Sequence, residues 1–207
     1  MENNFKEYND AKKEDQLFER IESFEKIKNP DELFLYMKNN IKYGFVGRNN
    51  KKIYSSSDSD WGLGDFPKEE YYLQSPKELL QSKHGLCWDQ TELERFWFSK
   101  NNYNFKTFVL MFDDELSRER PAHTFLVYES DGKWNWFENS LSKEINGVKQ
   151  FDNFEDLIQN VKSDILGGLI KNKDDKNIEE PSLYEYSLPN YGCGVEEFMY
   201  NIIKNVK

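Results

Sequence analysis

The chain has 207 residues, 38 of them acidic against 28 basic, and a formal net charge of −10. That length fits one compact domain with a real core, and an aromatic content of 16% within 37% hydrophobic residues builds that core from Phe, Tyr and Trp. The acidic balance, with lysines interleaved among acids as in AKKEDQLFERIESFEK, excludes nucleic acid as the main partner, because phosphate binding needs clustered Lys and Arg. The longest apolar run near the middle is FVLMF, far below the roughly 18 residues of a spanning helix. MENNFKEYNDAKKEDQ lacks the apolar stretch of a signal peptide. A cytoplasmic protein with no membrane attachment is therefore expected, of the producing cell or of a host if injected, with Cys87 and Cys193 as free thiols.

Residues 10 to 27 place Leu17, Ile21, Phe24 and Ile27 at helical spacing. NPDELFLYMKNNIKYGF reads as a second helix, with Pro30 in its first turn and Gly44 beyond its end. From Arg48 to Asp65 the chain turns polar and reads as an irregular loop, either a solvated connection or a lid over a site. QSPKELLQSKHG predicts a short helix with Ser75 as cap, Pro76 first and Glu78 closing a capping box. Gly85 breaks it. CWDQTELERFWFSKN then starts a helix with Leu93, Phe96 and Trp97 on its apolar face.

Three strands are expected next. FKTFVLMF is apolar enough to be buried on both sides, while HTFLVYE and KWNWFEN flank SDGK, where Asp131-Gly132 signals a two-residue hairpin turn. NFEDLIQNVKSDILGGLI is a helix, SLYEYSL a late strand and VEEFMYNIIKNV a closing helix. Segregated rather than alternating elements predict an α+β fold. The organisation expected is a single domain over 1–207, with a helical extension over 1–29, a core over about 30–165 and a C-terminal segment over 166–207.

Cys87 carries the chemistry. A thiol is a nucleophile only as thiolate, and a helix start, with its unpaired N–H groups and dipole, favours that charge. It also needs a base, and the chain holds only His84 and His123. His84 sits in the approach loop, whereas a strand holds His123 in a fixed direction, which favours His123. A base histidine needs an acceptor on its other ring nitrogen. If Asp131-Gly132 forms a two-residue turn, Ser130 faces Lys133, Phe125 faces Glu138, and Glu138 lies diagonal to His123 on the same side. A three-residue turn would instead bring Asn139 opposite His123. Cys193, between Gly192 and Gly194, has no histidine to pair with and reads as a small residue in a tight turn. No cluster has the spacing of a metal site and no glycine-rich phosphate loop is present, so no cofactor is expected.

GLCWDQTELERF followed by AHTFLVYESDGKWNWFENS resembles the transglutaminase-like superfamily of cysteine enzymes, within the broader papain-like fold. The run NNIKYGF, YYLQSPKELLQSKHGLCWDQTELERFWF, AHTFLVYE, WFENS and FDNFEDLI is similar to bacterial transglutaminase-like proteins, over roughly residues 30 to 165. The resemblance implies a cysteine on a helix start packed on an antiparallel sheet that carries the histidine and the acid. By motif these are Cys87, His123 and Glu138. The step from Trp134 to Glu138 matches the superfamily's tryptophan-to-acid spacing, although Glu138-Asn139 stands where aspartate-proline is usual. It also implies acyl chemistry at a peptide or glutamine-type amide of a peptide or protein substrate, through a thioester. The oxyanion would meet the Cys87 backbone N–H and a second donor, for which Gln81, Gln74 and the Trp88 indole are candidates. Two other readings compete: a catalytically silent protein-binding module of the same fold, and a small protein whose acidic surface engages a basic partner.

Overall fold

Asn29 starts helix α1 (Pro30–Asn40): its Oδ1 accepts the Glu32 N–H at 2.9 Å, and Pro30 fills the first turn, where its missing N–H costs nothing. The computed structural model describes residues 20–48, 53–55, 68–111, 122–141, 144–170 and 180–204, and in it α1 stops at Asn40. Ile41 is extended, and strand β1 (Lys42–Val46) takes the place of the last helical turn expected up to Gly44. Pairing decides this. β1 runs antiparallel to β2 (Ile53–Ser55), and its Tyr43 lies in parallel register with Gly85 of a later two-residue strand. Local periodicity yields to those long-range bonds. The expected loop from Arg48 is likewise a strand at 53–55; residues 56–65, and with them the lid reading, lie outside the described residues, as does Leu17.

Helix α2 (Pro76–Ser82) has the expected capping box: Ser75 Oγ accepts the Glu78 N–H at 3.4 Å, and Glu78 Oε2 accepts the Ser75 N–H at 2.8 Å. The two-residue strand β3 (His84–Gly85) then leads into helix α3 (Cys87–Lys100). A five-stranded antiparallel sheet follows, made of β4 (Asn104–Met111), β5 (His123–Ser130), β6 (Lys133–Glu138), β7 (Gly147–Phe151) and β8 (Ser182–Glu185) in the order β7-β6-β5-β4-β8. Helix α4 (Phe154–Ile170) lies between β7 and β8 in sequence, and α5 (Val195–Lys204) closes the described chain. The β5–β6 turn has two residues: Ser130 pairs with Lys133, and Asp131 and Gly132 adopt φ of 54° and 71°, the left-handed pair a type I′ turn requires. β7 is an edge strand of mostly half-buried residues, with no alternation to announce it.

The strands alternate between two cores. Leu126, Tyr128 and Phe137 face a cluster containing Leu33 and Met37 of α1, Leu79 of α2, and Leu93, Trp97 and Phe98 of α3. Phe125, Val127 and Trp136 face Leu157, Val161 and Ile165 of α4. Each such side chain contributes about 1.5–3 kcal/mol by leaving water. The first eight residues of α3, from Cys87 to Glu94, are all buried. Its apolar side was expected to include Phe96, but that ring is 45% exposed and Phe98 takes the interior position. The architecture is mixed α+β, and no helix among the described residues is long and apolar enough to cross a membrane.

Candidate active site

The turn before Cys87 is fixed from several sides. Asp89, two residues into α3, accepts the Leu86 N–H at 2.9 Å through Oδ2. Its Oδ1 accepts the Gln74 N–H at 2.9 Å and the Tyr71 hydroxyl at 3.1 Å. Gln90 Nε2 donates to the Gly85 carbonyl at 2.8 Å. Gly85 has no room for a side chain, since a Cβ there would stand 2.7 Å from Leu79 Cδ1 and 3.0 Å from Asp89 Cβ. Burial pushes the Asp89 carboxyl up to about 7, against the pull of its donors. The result is a rigid helix start, with Cys87 as its first residue and 5% exposed.

His84 stands in β3 rather than in the approach loop expected, and turns its Nδ1 to the Ser82 carbonyl at the end of α2, 2.8 Å away. His123, at the start of β5, puts Nε2 2.7 Å from Glu138 Oε2 and has the Cys87 thiol as its other neighbour. With Nε2 committed to Glu138, Nδ1 is the nitrogen left for the thiol. The other Glu138 oxygen, Oε1, accepts from the Ser140 N–H at 2.7 Å, the Ser140 hydroxyl at 3.0 Å and the Leu141 N–H at 3.0 Å. The carboxylate is thereby held in one orientation. Burial alone would lower the His123 pKa, but the Glu138 charge and the Cys87 thiol outweigh it and raise it to about 10. Burial likewise works to raise Glu138, yet the imidazolium and the Ser140 donors hold it below the usual carboxylate range. Both shifts favour a charged imidazolium–carboxylate pair.

The other sequence candidates sit differently. Asn139 does not orient His123; its Nδ2 donates to Gln90 Oε1 at 2.7 Å and ties the end of β6 to α3. Gln74 is buried, but its Nε2 donates to the His84 carbonyl at 2.8 Å, so its amide braces the loop before Cys87. Gln81 is an exposed residue of α2 whose backbone carbonyl accepts from Arg20 at 3.1 Å. The Trp88 indole packs against Tyr71 and Phe198, each at 5.3 Å between ring centroids, and its buried Nε1 has no hydrogen-bond partner. That is a packing residue with an orphaned donor.

Residue types alone did not flag four others. Tyr43 on β1 has its hydroxyl beside Cys87, and 38% of the residue is exposed. Asp89 and Gln90 brace the helix start. Glu94, seven residues after Cys87 on the same helix, is 3% exposed, and burial followed by the Glu138 charge pushes its carboxyl well above the ordinary range. The only hint in the sequence is helical spacing: Cys87, Gln90, Thr91 and Glu94 fall on one side of α3, and Thr91 Oγ1 meets Thr124 Oγ1 of β5 at 3.2 Å.

Among the described residues no group of three or more His, Cys, Asp or Glu side chains is placed to hold a metal ion. The described arrangement brings a thiol, an imidazole and a carboxylate together in one buried cluster. Compared with known families and with curated proteins, the chain matches no family model and no curated sequence.

Proposed function

We propose that this protein is a cysteine enzyme of the transglutaminase-like superfamily, with the papain-like arrangement of a cysteine helix against a sheet. It acts on a peptide or glutamine-type amide through a Cys87 thioester. The observation that carries this reading is His123, which touches Cys87 on one side and Glu138, at 2.7 Å, on the other. A merely structural histidine at a strand end needs neither a thiol neighbour nor a carboxylate fixed by three further donors.

The proton of Cys87 rests on His123 as a thiolate–imidazolium pair, and the sulfur attacks the carbonyl carbon of the substrate. The C=O π pair moves onto oxygen, near the Cys87 N–H at the helix start. Collapse of this intermediate breaks the C–N bond, and His123 protonates the departing amine. Glu138 stays ionised and steadies the imidazolium throughout. Water then hydrolyses the thioester, or an amine takes the acyl group.

The test is to incubate the protein with glutamine-containing peptides, with and without a primary amine, and to follow ammonia release, amine incorporation and adducts on Cys87 by mass spectrometry. Product that disappears in Cys87→Ala supports the proposal. Sluggish alkylation of Cys87, equal to that of Cys193, with no acyl adduct, would instead favour the silent binding module.

A further inference from the structure

An acyl intermediate at Cys87 needs a second hydrogen-bond donor for its oxyanion, and the glutamines that spacing offered are engaged elsewhere: Gln74 on the His84 carbonyl, Gln81 at the surface. Tyr43 meets the requirement. Its strand pairs in parallel register with β3, Tyr43 opposite Gly85, two residues before the nucleophile. That pairing anchors the Tyr43 backbone to the same rigid turn that Asp89 and Gln90 brace. From there its hydroxyl lies beside Cys87, while the residue as a whole is 38% exposed.

Resting on the acyl-transfer reading, we propose that Tyr43 is a catalytic residue whose hydroxyl donates to the oxyanion formed when Cys87 attacks a carbonyl. As the sulfur–carbon bond forms, negative charge leaves sulfur and appears on an oxygen bonded to the same carbon. A donor already beside the sulfur passes its hydrogen bond to that oxygen by a small swing. Tyr43 keeps its own proton throughout; the thiol proton rests on His123 until the leaving group takes it. Burial, with the Cys87, Glu138 and Asp89 charges nearby, keeps the phenol protonated and hence a donor. The competing donor is the orphaned Trp88 Nε1, but that ring is committed to Tyr71 and Phe198.

Two reagents separate the roles. Iodoacetamide alkylates sulfur by displacement and forms no oxyanion, whereas p-nitrophenyl acetate acylates it through one. In full-length Tyr43→Phe, Cys87 acetylation should slow by about 10²-fold, the usual effect of losing one oxyanion donor, while alkylation changes by less than about threefold, within the indirect effect of one lost neutral hydrogen bond. A purely structural Tyr43 would slow both reactions together, and that overturns the assignment. So would unchanged acetylation in Tyr43→Phe, or a selective loss in Trp88→Phe instead. If wild-type Cys87 reacts with neither reagent, the acyl-transfer reading itself falls and this assignment with it.

Discussion

Cys87 and Cys193 look alike by the usual measures. Each is 5% exposed, each belongs to the same hydrophobic cluster, and each stands at or just before a helix start. Their neighbours differ. Cys87 has His123, backed by Glu138, and the Tyr43 hydroxyl. Cys193 has burial and the nearby Glu197, which push its thiol up to about 11. Its backbone is a structural strut, with its carbonyl accepting the Leu73 N–H at 2.9 Å. Burial and a helix start do not make a nucleophile. In the reading proposed above, a proton acceptor held in place does.

Several changes would break or sharpen that contrast. The largest effect belongs to His123→Ala, which should cut acetylation of Cys87 by about 10⁴-fold or more, as removing a member of a nucleophile–base unit does, and bring its alkylation toward the Cys193 rate. Glu138→Gln keeps the shape but removes the charge that raises His123. Acetylation should drop by about 10²–10⁴-fold, and the His123 imidazole, followed by NMR, should titrate well below 10.

Gly85→Ala tests the rigid turn. The clash with Leu79 and Asp89 should cost about 1–3 kcal/mol in urea unfolding. Next comes pH. His123 is raised in the folded chain, so it holds its proton there after the unfolded chain has lost it. Its contribution to stability is complete below its unfolded value of 6.5 and is lost as pH rises toward 10. Measured in Cys87→Ala, which removes the thiol's own titration and its share of the His123 shift, this contribution should fall by at most about 1.4 kcal/mol per pH unit from 6.5 upward, over a window that closes below 10. Glu138→Gln in the same background should flatten it. The smallest effect is Cys193→Ala, which should leave acetylation at Cys87 unchanged and cost about 1 kcal/mol of stability, the scale of a small buried truncation.

What the sequence disclosed follows from distance along the chain. The Ser75–Glu78 capping box and the Asp131-Gly132 turn act within a few residues, and both can be read directly. The turn then fixes the strand register, and the register predicts the nearness of Glu138 to His123. Tyr43 could not be found that way. Its pairing with Gly85 spans more than forty residues, and the segment carrying it reads locally as helix. The buried carboxyls of α3 were hidden for another reason. Asp89 and Glu94 look like ordinary helix-surface charges until the helix is enclosed by two cores. Asn139 fits the orienting role on paper, and its contact with Gln90 appears only when β6 docks on α3.

The most direct test of the account is the rate of iodoacetamide alkylation at each cysteine across pH, resolved by peptide mass spectrometry. Cys87 should be modified rapidly below pH 7 in a His123-dependent manner, while Cys193 stays inert until the pH approaches its raised value of about 11. Two thiols that alkylate together, with Cys87 indifferent to His123→Ala, would contradict the claim that an imidazole held by Glu138 takes the proton from Cys87.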